Sequence, residues 1–412
     1  MQAEIIANGD ELVSGKILDT NTQWLCRELA ELGVTTLYHT TVGDELDAMV
    51  DVLRIASSRT DLILWTGGLG PTADDLTRQA VADLAGVSLE KNEDSVAHIR
   101  ETFRRRGREM PKANEVQAFQ PKGATPIFNP HGTAPGIDMT VKRQGPIPKG
   151  RLDFFRILCY PGVPAEMKEM WHDSGEKTVQ KLLEQLTGHR KVIRFRSINS
   201  FGFGKSQVEA MLPDIVNRKH YPKVGITATQ ASITLRIASE AETEEECYKI
   251  MEPTAKIIYD TLGDIIYSEG DDTLQDVVCR ATKKSNQTLA VIEAGTRGLL
   301  AESLARSPDS DGCFAGGIVL PPKEPIAAEE MIRRGRRLFN VDYLILVGAY
   351  PPGKPDRNRT EEAFVAVVDA RQTDLEKSVV ALKNYAYVGH PGIIDDLYVK
   401  RALDLARKTV VK

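Results

Sequence analysis

Apolar residues in the first 170 positions fall into short bursts, and the spacing inside the bursts alternates between two kinds. Glu4–Asn8 is an apolar run of strand length. From about Thr20, the residues Trp24, Leu25, Leu29 and Leu32 share one helical face, and Gly33 stands where that helix would stop. Thr35–Val42 predicts a second strand, Leu46–Ala56 a second helix and Asp61–Trp65 a third strand. Helical spacing returns over Leu76–Leu84. Strand and helix alternating at this pace predict a parallel sheet covered by helices, with ligands at the carboxyl ends of its strands. The texture changes between 173 and 268. There Arg190–Ser197 and Ala231–Ile237 read as strands, and Gly204–Met211 and Thr243–Leu262 as helices. From Asp272 the alternation resumes through Thr273–Lys283, Thr288–Ile292, Leu299–Ala305, Phe314–Val319, Tyr343–Val347, Phe364–Asp369 and Asp395–Thr409. The expected division is an α/β domain over 1–172, an α+β linking domain over 173–268 and a second α/β domain over 269–412.

Bulk composition narrows the function classes. Hydrophobic residues make up 42% of the 412, enough for ordinary cores, and the net charge of −5 implies no general attraction to nucleic acid. The start, Met-Gln-Ala-Glu-Ile-Ile, has no basic segment leading into a long apolar run, so neither a signal peptide nor a membrane span is expected. Cys26, Cys159, Cys247, Cys279 and Cys313 are far apart and form no C-x-x-C pair, which suggests neither a disulfide framework nor a zinc site. A reducing cytoplasm is the expected location.

Residues 66–77, Thr-Gly-Gly-Leu-Gly-Pro-Thr-Ala-Asp-Asp-Leu-Thr, turn from a strand into a helix. Gly67, Gly68 and Gly70 let the backbone approach a ligand, and the helix start suits a phosphate. Asp74 and Asp75 add hard oxygens, which an anion tolerates only with a divalent cation between them. The alternative is a tight turn whose aspartates cap the helix. Loops at Asp10–Lys16 and Gly43–Glu45 also leave strand ends and are expected to converge with it. Asp10 and Glu11 either join Asp75 around a metal or cap the next element. Asn129–Gly136 is rich in turn formers; Gly132 and Thr133 either hold a phosphate or ribose, or shape a surface turn. His131 reads as a solvated loop histidine. Among the four arginines of Phe103–Arg108, one is a candidate to reach a diphosphate, the rest reading as a solvated helix end. The cluster Arg333, Arg334, Arg336 and Arg337 reads as a solvated face.

The ordered runs Gly9–Leu12, Thr20–Thr22, Thr41–Asp44, Gly67–Thr77, Asn129–Gly136 and Pro161–Met167 resemble the CinA (competence-damage-inducible protein A) family. That resemblance implies a three-layer MoaB/MogA-like N-terminal domain, a small linking domain and a nicotinamide-mononucleotide deamidase-like C-terminal domain. It also implies metal-dependent hydrolysis of ADP-ribose to AMP and ribose 5-phosphate, and a homodimer. On this reading Mg²⁺ or a similar cation sits on Asp75, helped by Asp74 and by Asp44 or Glu11. The Gly67–Gly70 backbone, Thr72 and Lys16 then support phosphate oxygens. Which carboxylate orients the water stays open. A pterin- or nucleotide-binding module and an active amide hydrolase are the other two function classes.

In the C-terminal domain the family pattern Ala-Glu-Ser-Cys-Thr-Gly-Gly corresponds to Ile292–Gly298, which puts Ala294 where the nucleophilic serine belongs. Phe314 and Gly317 align with the family's Phe-x-x-Gly, after which the activating lysine falls on Ile326. The later Gly-Ile-Ala-Gly-Pro loop is replaced by Gly348-Ala349-Tyr350-Pro351-Pro352. Deamidation is therefore expected to be lost, with Lys323 and Thr296 the remaining substitutes to check. The domain is expected to fold and to serve as a scaffold, dimer surface or ligand-sensing remnant.

Overall fold

A computed structural model describes residues 1–143, 147, 151–187, 192–217, 220–229, 231–321, 326–355 and 361–410. The chain divides into two compact units, Met1–Arg194 with Glu240–Cys247, and Phe195–Ser239 with Tyr248–Lys412.

In the first unit the strands β1 (Gln2–Asn8), β2 (Thr35–Val42) and β3 (Leu62–Thr66) come first, with the helices α1 (Asp10–Val13), α2 (Thr20–Glu31), α3 (Leu46–Arg59) and α4 (Thr77–Ala85) between and after them. A short ribbon, β4 (Leu89–Lys91) with β5 (Phe119–Pro121), flanks α5 (Glu93–Arg105). Then come β6 (Thr125–Ile127), β7 (Gly136–Lys142), β8 (Phe154–Tyr160), α6 (Pro164–Met170) and α7 (Glu176–Thr187). The sheet order is β2-β1-β3-β8-β7-β6. The first four strands are parallel, as the alternation predicts, and β7 and β6 add an antiparallel edge.

Every residue of β3 is buried, because helices cover both faces of the sheet. Alternate side chains serve opposite faces. Leu62 and Leu64 pack with Leu25, Leu29 and Trp171, while Ile63 and Trp65 pack with Met49, Leu53 and Val81. Each such side chain contributes about 1.5–3 kcal/mol when fully buried. The carboxyl ends of β1, β2, β3 and β8 therefore stand side by side on a rigid platform.

Two further sheets lie mainly in the second unit, the elements of the first of them including residues 192–194 and 240–247 of the first unit. The strands β9 (Val192–Phe201), β10 (Lys223–Thr229), β11 (Ser232–Ala241) and β12 (Ile266–Glu269) pair in the order β10-β11-β9-β12, with α8 (Lys205–Met211) and α9 (Glu244–Leu262). Arg190 and Lys191, assigned from sequence to the first of these strands, lie outside the described residues. The last part contains α10 (Leu274–Lys284), β13 (Leu289–Glu293), α11 (Leu299–Ala305), β14 (Phe314–Val319), α12 (Ala328–Leu338), β15 (Tyr343–Val347), β16 (Glu362–Asp369), α13 (Leu375–Ser378), β17 (Val379–Ala386) and α14 (Ile394–Val410). Its sheet runs β14-β13-β15-β16-β17, with β16 and β17 antiparallel. Leu289 and Val291 face α10 and α14, while Ala290 and Ile292 face Met331 and Ile332 of α12. The basic cluster read as a solvated face lies on α12, whose apolar side is this narrow pair.

All five cysteines are free thiols. Among the described residues no helix is long and apolar enough to cross a membrane.

Candidate functional site

Loops from the carboxyl ends of β1, β2, β3 and β8, together with the Asn129–Gly136 turn, enclose a cleft of about 460 Å³. Nine of the residues singled out from sequence line it: Glu11, Asp44, Gly67, Gly68, Gly70, Asp74, Asp75, Gly132 and Thr133. Lys16 and Thr72 do not. Lys16 is an exposed residue just beyond α1, and Thr72 turns its hydroxyl and N–H onto Asp75.

The glycine loop has little freedom to be anything else. Gly67 and Gly68 adopt φ of +107° and +63°. A Cβ on Gly67 would meet the Asn8 carbonyl oxygen at 2.3 Å, and one on Gly68 would meet Asn8 Oδ1 at 2.3 Å and Thr77 Oγ1 at 2.4 Å. Thr77 Oγ1 donates to the Gly67 carbonyl at 2.9 Å and accepts from Trp65 Nε1 at 2.9 Å, which ties the loop to the core. Beneath it, the buried Arg78 guanidinium donates to the carbonyls of Leu69 (2.8 Å), Gly70 (2.8 Å) and Asp75 (3.3 Å). Burial pulls Arg78 below its ordinary pKa, opposed by the Asp75 charge. With the carbonyls occupied in this way, the N–H groups of Gly68 and Leu69 donate to no protein acceptor among the described residues.

Asp75 closes the loop. Its Oδ1 accepts from Gly70 N–H at 2.7 Å, and its Oδ2 accepts from Thr72 N–H at 2.8 Å and Thr72 Oγ1 at 2.5 Å. The carboxylate is thus a brace as well as a wall of the cleft. Asp44 is held from two sides. Its Oδ1 accepts from Asn8 Nδ2 at 2.9 Å and its Oδ2 from Asp10 N–H at 3.1 Å, while Asp10 Oδ1 accepts from Asp44 N–H. Asp10 therefore positions Asp44 and does not line the cleft itself. Burial, reinforced by the Asp10 and Glu11 charges, holds the Asp44 carboxyl above the usual aspartate range, against the two hydrogen bonds it accepts.

The expected metal set of Asp75, Asp44 and Glu11 does not form a ready-made cage. Among the described residues no group of three or more His, Cys, Asp or Glu is arranged to hold a metal ion. Asp75 is engaged with loop donors and Asp44 with Asn8 and Asp10. Glu11, Asp74 and Asp75 Oδ1 keep oxygens that could meet a cation from the cleft.

On the far side, Asn129 shapes its turn by accepting from His131 N–H (3.1 Å) and Gly132 N–H (2.7 Å) and donating to Glu166 Oε2 (2.7 Å). Gly132 lines the cleft, but its N–H is spent on Asn129, so the expected backbone contact from Gly132 to a ligand is not on offer. A Cβ there would meet Asn129 and Glu166 at 2.2 and 2.3 Å. Sequence reasoning missed Asn8 and Arg78. The signal for Asn8 was its position as the last residue of β1; Arg78 carried none, since nothing in sequence says an arginine folds beneath the loop before it.

In the second unit, Ala294 is fully buried and Gly295 lies against Tyr350, whose ring a Cβ would meet at 2.3 Å. Thr296 is fully buried and donates its hydroxyl to Glu293 Oε2 at 2.5 Å, a carboxylate that also accepts from Leu300 and Ala301 N–H. Ile326 packs against the apolar cluster containing Ala294 and Met331. Lys323 lies outside the described residues.

Fold and cleft together define an α/β domain of the molybdopterin-binding type followed by further α/β parts. The family of probable molybdopterin binding domains matches residues 4–181, and the damage-inducible protein CinA KH domain matches 195–268. A putative competence-damage inducible protein of Clostridioides difficile is 35% identical over 327 residues, covering 77% of this chain and 74% of its own. One from Acetivibrio thermocellus is 32% identical and covers 100% of this chain and 99% of its own. A CinA-like protein of Gloeothece citriformis is 38% identical over 77% of this chain and 73% of its own. The crystal structure of CinA from Thermoplasma acidophilum is 29% identical, covers 43% of this chain and 96% of its own, and superposes with a TM-score of 0.37. The chain belongs to the CinA family.

Proposed function

We propose that the N-terminal cleft binds a nucleotide diphosphate and hydrolyses it, cleaving ADP-ribose to AMP and ribose 5-phosphate. The observation that carries this is one cleft combining a glycine loop with unspent N–H groups and carboxylates from three strand ends. Unspent N–H groups at Gly68 and Leu69 suit phosphate oxygens. Carboxylates beside a phosphate repel it unless a divalent cation lies between. Asp75 Oδ1, which accepts a single hydrogen bond, and Asp74 would hold Mg²⁺ or a similar ion jointly with the ligand, with Glu11 lining the same cleft. When bound, such an ion offsets the charge that develops on the departing phosphate oxygen.

The chain's own residues do the remainder. Thr77 and Arg78 hold the Gly67–Gly70 backbone in shape before the ligand arrives, so little reorganisation accompanies the reaction. Asp75 fixes the other end of that loop. We assign to Asp44 the orientation of the attacking water and acceptance of its proton, since burial and two negative neighbours raise its proton affinity. The substrate's identity rests on the family resemblance.

A second reading, a non-catalytic molybdopterin- or nucleotide-binding protein, is favoured by the family match over 4–181. We infer that the C-terminal domain does not deamidate nicotinamide mononucleotide. Ala294 has no oxygen to attack with, Thr296 is buried with its hydroxyl given to Glu293, and Ile326 cannot carry a proton. The test of the main reading is AMP release from ADP-ribose by the purified chain with Mg²⁺, Mn²⁺ or Co²⁺. Release is the expected result; its absence with all three puts the binding role first.

A further inference from the structure

We propose that Arg106 binds the second phosphate of the ligand and makes the cleft select diphosphates over monophosphates; this rests on the nucleotide-diphosphate reading above. The sequence run Phe103–Arg108 offers four arginines, and the fold treats them differently. Arg104 and Arg105 both pair with Glu101 on the outer face of α5. At Arg106 the helix ends. Its N–H and that of Arg108 bond the Phe103 carbonyl, and Gly107 takes the left-handed conformation, φ +67°, that turns the chain back. The turn carries the Arg106 side chain to the Asn129–Gly136 loop, where it donates to the His131 carbonyl. No carboxylate lies within 4.0 Å of its guanidinium among the described residues.

Arg106 is the single cationic side chain lining the cleft among the described residues, against five carboxylates. The acidic groups Glu11, Asp44, Asp74 and Asp75 follow β1, β2 and β3, while Glu166 follows β8 and accepts from Asn129 Nδ2. Arg106 is held instead by the connection between β6 and β7, at the opposite end of the sheet order. An anion lying along the strand ends thus has the glycine-loop N–H groups toward one end and a guanidinium toward the other. A monophosphate is served by the loop alone. A second, adjacent phosphate needs a second donor set, and a planar guanidinium with one N–H already anchored to a carbonyl is preset to supply it.

The test compares affinities for AMP and for the methylene-bridged, non-hydrolysable analogue of ADP-ribose, by calorimetry with Mg²⁺ present, in the intact chain and in Arg106→Met and Arg106→Lys. The native chain is expected to bind the diphosphate analogue at least tenfold tighter than AMP. Arg106→Met is expected to weaken the analogue by about 10- to 100-fold and leave AMP unchanged, as for loss of a hydrogen bond to a charged group. Arg106→Lys is expected to recover part of the loss, and the native preference to shrink as salt is raised. Arg106 is exposed, so both variants are expected to fold. Arg106→Met keeping the native preference, or a native chain binding both ligands equally, overturns the role of Arg106 and leaves the nucleotide reading standing. A native chain that binds neither ligand overturns both.

Discussion

Asp75→Asn probes the carboxylate that is both brace and cleft wall. In the native loop each oxygen faces donors: Oδ1 faces Gly70 N–H, and Oδ2 faces Thr72 N–H and hydroxyl. An asparagine offers one acceptor and one donor, so one of these backbone N–H groups must face another donor. The exposed Thr72 side is where water can compensate, and the amide nitrogen is expected to turn there. The loss then falls at the upper end for an ordinary net hydrogen bond, about 1–1.5 kcal/mol. Because the chain divides into two units, a single unfolding midpoint would not report this loss. Amide hydrogen exchange does, and protection of the Thr72 N–H is expected to fall about 5- to 10-fold. Removing the charge should also lower the rate of AMP release by about 100-fold or more, as for other preorganised charge stabilisers. Glu11→Gln, whose side chain makes no hydrogen bond to the loop among the described residues, should leave Thr72 protection unchanged. Unchanged protection in Asp75→Asn would refute the brace. Native turnover with lost protection would show that Asp75 shapes the loop and does no chemistry.

Gly68→Ala forces a Cβ onto Asn8 Oδ1 and Thr77 Oγ1 at a left-handed φ of +63°; the backbone cost alone is about 1–2 kcal/mol, and affinity for ADP-ribose should fall at least tenfold by calorimetry. Ala294→Ser should release no ammonia from nicotinamide mononucleotide, because the position is buried and Ile326 supplies no base; turnover at about 1 per second or faster would refute the loss of that site. Lys400 Nζ donates to Ser232 Oγ at 2.7 Å, and burial pulls its pKa down to about 8 from 10.5. Between those values the unfolded chain holds a proton that the folded chain has lost, so stability gains as pH rises. Denaturant unfolding followed by a probe attached to the second unit should therefore gain on Lys400→Met from pH 8 to pH 10, and a constant difference would contradict the depressed value.

The sheet of the first unit was legible because strand and helix periods alternate cleanly and β3 is apolar throughout. The antiparallel edge was not, since β6 is only three residues, Thr125–Ile127, with a proline among them. Helix α12 escaped notice because its buried contribution is little more than Met331 and Ile332 between charged residues. The convergence of Glu11, Asp44 and Asp75 on one cleft was legible from the rule that ligands sit at strand ends. The bracing role of Asp75 was not, because capping and metal-binding aspartates look alike in sequence. Lys16 was chosen for its charge and its place after β1; it misses the cleft because α1 and the turn that follows it take the chain away to solvent.

The central claim is metal-assisted cleavage of a diphosphate in the N-terminal cleft. Its most direct measurement follows ADP-ribose with the intact chain by chromatography, with Mg²⁺ and then with excess chelator. AMP and ribose 5-phosphate formed in equal amounts with Mg²⁺, and neither with chelator, is the predicted result. ADP-ribose that survives unchanged in Mg²⁺, Mn²⁺ and Co²⁺ would contradict it.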